Sequence, residues 1–85
     1  MGDYPDAYGL GLAELRSALD ALRDPEPDLR LAAVRSLVRL GGTRATRALM
    51  QAAAGDLSPV VRAEALAALS RILEARGSRV PPQDA

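Results

Sequence analysis

No cysteine, histidine, phenylalanine, tryptophan or lysine occurs among the 85 residues. Each absence removes a class of function. Without cysteine there is no disulfide, no zinc–thiolate site and no thiol catalysis. Without histidine the commonest general base and metal ligand is gone. Aromatic side chains are limited to Tyr4 and Tyr8, so nucleic-acid bases find little to stack on. Strand formers are scarce: five Val and one Ile are too few for a sheet. No apolar run approaches the roughly 18 residues of a membrane-spanning helix. The N-terminus is acidic and carries no signal-peptide pattern, which makes the cytoplasm the expected compartment.

What remains is helix material. Ala (17) and Leu (14) make up most of the hydrophobic residues, and Ala is the best helix former and lets backbones approach closely. The length fits one small domain. Formal net charge is zero but unevenly placed. Residues 1–28 carry seven acids and two arginines, 29–55 carry five arginines and no acid, and 56–85 carry four of each.

The chain also says one phrase twice. Asp24-Pro-Glu-Pro-Asp-Leu-Arg30 returns 32 positions later as Asp56-Leu-Ser-Pro-Val-Val-Arg62. Proline follows each aspartate at three positions and arginine at six. Each arginine then opens an Ala/Leu-rich run. Repetition at a period of this size, with helical content, marks stacked helical hairpins.

Apolar spacing and breakers predict four helices. The first covers about 10–23, with Leu12, Leu15, Leu19 and Leu22 in one stripe. The second covers about 27–40, with Pro27 suited to the first helical position and Leu29, Ala33, Val34, Leu37 and Leu40 on one face. Leu31 and Val38 widen that face, and Gly41-Gly42 ends the helix. The third, about 44–54, is capped by Thr43, packs Ala45, Ala48, Leu49, Ala52 and Ala53, and has Met50 as core filling. The fourth covers about 59–76, capped by Ser58, with Val61, Ala65, Leu66, Leu69, Ile72 and Leu73 inward and Gly77 as its stop. The expected organisation is a flexible arm over 1–9, one hairpin over 10–42, a second over 43–77, and a disordered tail over 78–85. The second helices superpose at an offset of 32, placing Val34 on Leu66 and Leu37 on Leu69, and the first helices superpose best at 31.

The segments DPEPDLRLAAVRSLVRLGG (24–42) and DLSPVVRAEALAALSRI (56–72) resemble the HEAT repeat family, in particular its short bacterial HEAT-like, phycobilisome-lyase-type repeats. The resemblance covers about 12–76. The second copy departs at its end, where Leu73 and Glu74 replace Gly-Gly. It implies an all-α fold of two stacked hairpins, a short right-handed α-solenoid whose second helices line a concave, partner-holding surface. It also implies an inter-repeat ladder of Asp24, Arg30, Asp56 and Arg62, with at least one cross-repeat bond, Asp24–Arg62 or Asp56–Arg30.

Arg35, Arg39 and, one repeat on, Arg71 lie on the polar side of the second helices and are the candidate partner-binding face. Arg44 and Arg47 open helix three and form a secondary basic patch on another surface. Such patches attract an acidic protein segment or phosphates. The neutral charge and a pI near 6.2 weigh against nucleic acid. Gly9-Leu-Gly11 follows no strand and lacks a third glycine, so it is no nucleotide loop. Glu64 and Glu74 stand ten residues apart on one helix and make no close carboxylate pair. No catalytic, cofactor-binding or metal-binding residue is assigned, and no cofactor or small-molecule substrate is expected.

The expected function is a non-enzymatic protein–protein interaction module, a scaffold or adaptor. One alternative is a nucleic-acid or phosphate-binding helical repeat using the arginine patch. Another, suggested by relatives, is a subunit or chaperone of a lyase-type enzyme. About three repeats usually make a stable stack, and this chain has two. The outer sides of helix one (Leu12, Leu15, Leu19, Leu22) and helix four (Leu66, Leu69, Leu73) are therefore candidate exposed stripes. Such a stripe is expected to be buried in a homodimer or against a larger protein, unless arm and tail fold back as caps.

Overall fold

The computed structural model describes the backbone of residues 3–79 and the side chains of residues 11–76. It contains four helices: α1 Asp3–Ala21, α2 Pro27–Leu40, α3 Gly42–Gly55 and α4 Pro59–Arg79. They form two hairpins, α1–α2 and α3–α4, stacked side by side. The two inner helices, α2 and α3, each touch the other three, while among the described residues α1 and α4 do not meet. The α1 and α4 helices thus stand at opposite ends of the stack.

Local chemistry explains each joint. Pro27 opens α2, where its missing N–H is not needed, and Asp28 and Arg39 complement the two ends of the helix dipole. The α2 helix stops at Gly41, whose N–H bonds the Leu37 carbonyl at 3.0 Å. Gly41 (φ 70°, ψ −171°) and Gly42 (φ 90°) occupy backbone conformations that side-chain-bearing residues rarely adopt. This pair reverses the chain so sharply that a single residue separates α2 from α3. At the start of α4, the Val61 N–H donates to Ser58 Oγ at 3.3 Å, the expected cap. The equivalent Glu26 makes no side-chain cap on α2.

Val34, Leu37, Leu49 and Val61 are the largest fully buried side chains. Small alanines complete the core: Ala18, Ala45, Ala48, Ala52, Ala65 and Ala68 are buried with them. Leu15 and Leu19 of α1, and Leu22 just past its end, pack against this cluster.

Several sequence expectations need correction. Residues 3–9, expected as an irregular arm, are helical, because α1 starts at Asp3. Pro5 falls in the first turn, where no N–H is required, and Gly9 and Gly11 lower helix propensity by about 1 kcal/mol each without forbidding the helix. Gly77 does not end α4, which continues to Arg79. Residues 80–85 of the expected tail, and the side chains of Tyr4 and Tyr8, lie outside the described residues. Thr43 does not cap α3, since that helix begins at Gly42 and leaves Thr43 inside the first turn. Met50 is exposed rather than core filling. Leu29, expected to face inward, is exposed, and Leu66 and Leu73, expected both inward and as a candidate exposed stripe, are exposed as the second expectation has it. Of the four leucines expected as the outer stripe of helix one, Leu12 is exposed. Leu15, Leu19 and Leu22 are covered by the core and do not form an outer stripe.

Candidate functional site

The repeated phrase builds the same turn twice. Asp24 Oδ1 accepts the Glu26 N–H at 2.9 Å, and Asp56 Oδ1 accepts the Ser58 N–H at 2.9 Å. Each is an aspartate side chain closing a turn on the backbone two residues on. The arginine six positions later returns to the same turn. Arg30 Nη1 donates to the Asp24 carbonyl at 2.7 Å, and Arg62 Nη1 donates to the Asp56 carbonyl at 2.6 Å.

The turns differ in what crosses between them. Arg30 Nε donates to both Asp56 carboxylate oxygens, at 3.2 and 3.0 Å, and Nη2 adds a third bond at 3.1 Å. Nη1 also reaches the Pro25 carbonyl at 3.0 Å. Arg30 is only 8% exposed, and among the described residues no buried side-chain polar atom lacks a partner. A guanidinium fork on a carboxylate is the strongest of the common charged pairs, and full bonding offsets the cost of desolvating both charges. Burial pushes the Asp56 carboxyl up. The Arg30 hydrogen bond, the Ser58 N–H and the charges of Arg30 and Arg62 outweigh that, holding it below its ordinary 3.8. Of the two expected cross-repeat pairs, Arg30–Asp56 forms. Asp24 and Arg62 stand at opposite ends of the stack, and among the described residues neither forms a close ion pair, although the charge of Arg62 acts on Asp56.

The candidate partner-facing arginines are all exposed: Arg35, Arg39 and Arg71, and also Arg44 and Arg47. Arg39 and Arg71 occupy equivalent positions on α2 and α4. Arg35 Nε lies 3.9 Å from Glu64 Oε2 across the hairpins, a loose surface pair worth little. Sequence reasoning did not join these two residues, since nothing in the repeat duplicates them: their equivalents are Ala67 and Ala32.

The end faces carry the remaining features. A groove of about 430 Å³ lies between α1 and α2, walled by Ala13, Ser17, Ala21, Leu29, Ala32 and Ser36. Sequence reasoning did not single out these walls, and the signal that could have found them is small residues spaced four apart, Ala13/Ser17/Ala21 and Ala32/Ser36. At the other end, Leu66 and Leu73 project from α4 at 59% and 62% exposure. Among the described residues no group of acidic side chains could hold a metal ion, and no helix is long and apolar enough to cross a membrane.

An all-α stack of equivalent hairpins, joined by a repeated charged turn, is a helical repeat protein. A family model described as HEAT repeats matches residues 12–81, and the chain belongs to the HEAT repeat family. HEAT repeats are commonly protein-interaction scaffolds and are typically non-enzymatic. No curated protein and no solved structure matches the chain.

Proposed function

We propose that this chain is a non-enzymatic protein-interaction module acting in the cytoplasm, a scaffold or adaptor of two HEAT-like repeats over 10–42 and 43–77. The observation that carries the proposal is the fate of equivalent positions. Val34 and Leu37 on α2 are fully buried, while Leu66 on α4 is largely exposed and Leu69 is half-buried. An apolar face of this kind suits a protein surface. Arg30 and Asp56 act as the joint between the repeats, while Asp24 and Arg62 hold turns. The row of Arg39 and Arg71 adds charge selectivity for an acidic partner segment. A phosphate or nucleic-acid ligand is less favoured, because Glu64 sits beside Arg35 and the chain is neutral overall.

Proximity labelling in the source cell tests this, using the wild type, Leu66→Asp, and the double variant Arg39→Glu/Arg71→Glu. The expected result is a defined set of neighbouring proteins, lost with Leu66→Asp and reduced with the charge reversal. Retention on DNA or heparin with a steep salt dependence, abolished by the charge reversal, overturns the reading in favour of nucleic acid or phosphate.

A further inference from the structure

We infer that the two ends of this molecule fit each other, and that the occupant of its exposed α4 face is a second copy of the same chain, docked head to tail through Arg62 and Asp24. The inference rests on reading the chain as a protein-binding module and names its partner.

The junction inside the chain is the template. In it Val34 and Leu37 of α2 are fully buried, and α2 packs on both α3 and α4. The corresponding surface of the second hairpin is lined by Ala45, Ala48 and Ala52 of α3 and Val61, Ala65 and Ala68 of α4, each buried. Apolar knobs thus meet a wall of small side chains, the arrangement that lets helices pack closely.

Both halves of this junction recur unfilled at the ends. Shifting the α3 positions back by 31 gives Glu14, Ser17 and Ala21. Shifting the α4 positions back by 32 gives Leu29, Ala33 and Ser36. These six residues line the open groove between α1 and α2. Shifting Val34 and Leu37 forward by 32 gives Leu66 and Leu69, with Leu73 one turn beyond. The groove at one end is therefore the counterpart of the groove that the second hairpin fills, and the leucines at the other end are the counterpart of its knobs.

The charges repeat the pattern. Within the chain, Arg30 anchors Nη1 on its own turn and turns Nε and Nη2 toward the aspartate of the next. Arg62 is anchored on its own turn in the same way, at 2.6 Å, and among the described residues its Nε and Nη2 make no hydrogen bond, its charge acting on Asp56 only through space. Asp24 holds the turn geometry of Asp56, at the same 2.9 Å, without an arginine on its carboxylate. A copy placed by the internal repeat relation brings Asp24 to the Arg62 of its neighbour. Because knob and groove lie on different faces, the contact is heterologous and each dimer still offers both faces.

Sedimentation velocity of the wild-type chain over a rising concentration series is expected to show a mass that grows past the dimer. A single monomeric species at every concentration overturns the inference. Leu66→Asp spoils the knob face, Ser17→Arg blocks the groove, and both residues are exposed, so both variants should keep the fold. Each alone is expected to be monomeric. Mixed together they should stop at dimers, because one intact knob face meets one intact groove. Failure to dimerise on mixing, or association that neither substitution weakens, refutes the head-to-tail contact.

Asp24→Arg and Arg62→Asp sharpen the test. Each alone should weaken association at least about tenfold, and an equimolar mixture should restore it, since both junctions then pair opposite charges. No restoration on mixing removes the Arg62–Asp24 pair from the inference and overturns it as stated. A monomer that still loses its labelled cellular neighbours with Leu66→Asp excludes the second copy as occupant but leaves the protein-binding reading standing. Loss of both refutes both.

Discussion

At Asp24 and at Asp56 the chain makes one turn twice, with the same aspartate-to-backbone bond at 2.9 Å and an arginine fixed to the turn carbonyl six residues on. The surroundings then part. Asp56 receives three bonds from Arg30, while among the described residues the Asp24 carboxylate serves only its own turn. The helices that follow diverge in the same way, with Val34 at 0% exposure and its equivalent Leu66 at 59%. Local sequence sets the shape of a repeat, and its neighbours set how much each residue contributes to stability. In a stack where each repeat touches only adjacent ones, equivalent residues are energetically unequal at the ends.

The largest test of this inequality is to delete each aspartate in turn. Asp56→Ala leaves the Arg30 guanidinium buried without a counter-charge, and breaking such a pair costs about 3–5 kcal/mol. Asp24→Ala removes an exposed turn bond and should cost about 1 kcal/mol. Denaturant unfolding of both variants, monitored by helical circular dichroism at a concentration where the chain is monomeric, gives the two values. Equal losses would mean that the turn itself, not the bond between hairpins, carries the aspartate's contribution.

The same comparison applies to the apolar positions. Leu37→Ala empties a fully buried site and should lose about 2–5 kcal/mol. Leu66→Ala, on the exposed face of α4, should change the stability of the monomer by no more than about 0.5 kcal/mol. A Leu66→Ala loss comparable to that of Leu37→Ala would show that this face is covered in solution.

Much of this was legible along the chain. The helix interiors follow from a 3.6-residue apolar period. Arg30–Asp56 is one of the two cross-repeat bonds that the resemblance to HEAT repeats implies, and the Ser58 cap follows from its place before Pro59. The failures share a physical cause. Leu29, Met50, Leu66 and Leu73 have the composition of core residues, and only the presence or absence of an adjacent hairpin decides their exposure. Local spacing does not encode that. The early start of α1 was missed because proline and glycine read as breakers, although a proline in the first turn costs a helix no hydrogen bond. The basic face was legible as a set of exposed arginines. The Glu64 beside Arg35 was not, because the pair crosses between hairpins and has no duplicate.

Glycines give a smaller contrast between the α2–α3 link and the end of α3. Gly41 sits at φ 70°, ψ −171°, a region open essentially to glycine alone, so Gly41→Ala should cost about 1–3 kcal/mol. Its added methyl would meet nothing within 4 Å, which leaves backbone strain as the cause. Gly55 ends α3 without a positive φ, and a methyl there also meets nothing. Gly55→Ala should therefore stabilise by about 0.4–1 kcal/mol, through a less flexible unfolded chain. Opposite signs in thermal unfolding are the expected result.

The last test concerns charge alone. Asp56 in the folded chain holds its proton less tightly than the ordinary 3.8 of an unfolded aspartate, because its bonds to Arg30 and Ser58 and the nearby charges outweigh burial. Its ionised form thus favours folding. That contribution is fully present above 3.8 and is lost as pH falls through the lower folded value. Asp56→Asn keeps the side-chain shape and removes the charge, so it should lie below wild type by a constant gap at neutral pH. The gap should narrow as the solution is acidified past 3.8, where wild-type Asp56 becomes neutral too. A gap that stays constant into acid would show that Arg30 is held by hydrogen-bond geometry, with the carboxylate charge contributing nothing to the junction. Since Asp56 and Arg30 are both largely shielded from solvent, added salt should change the gap little, unlike a surface pair such as Arg35–Glu64.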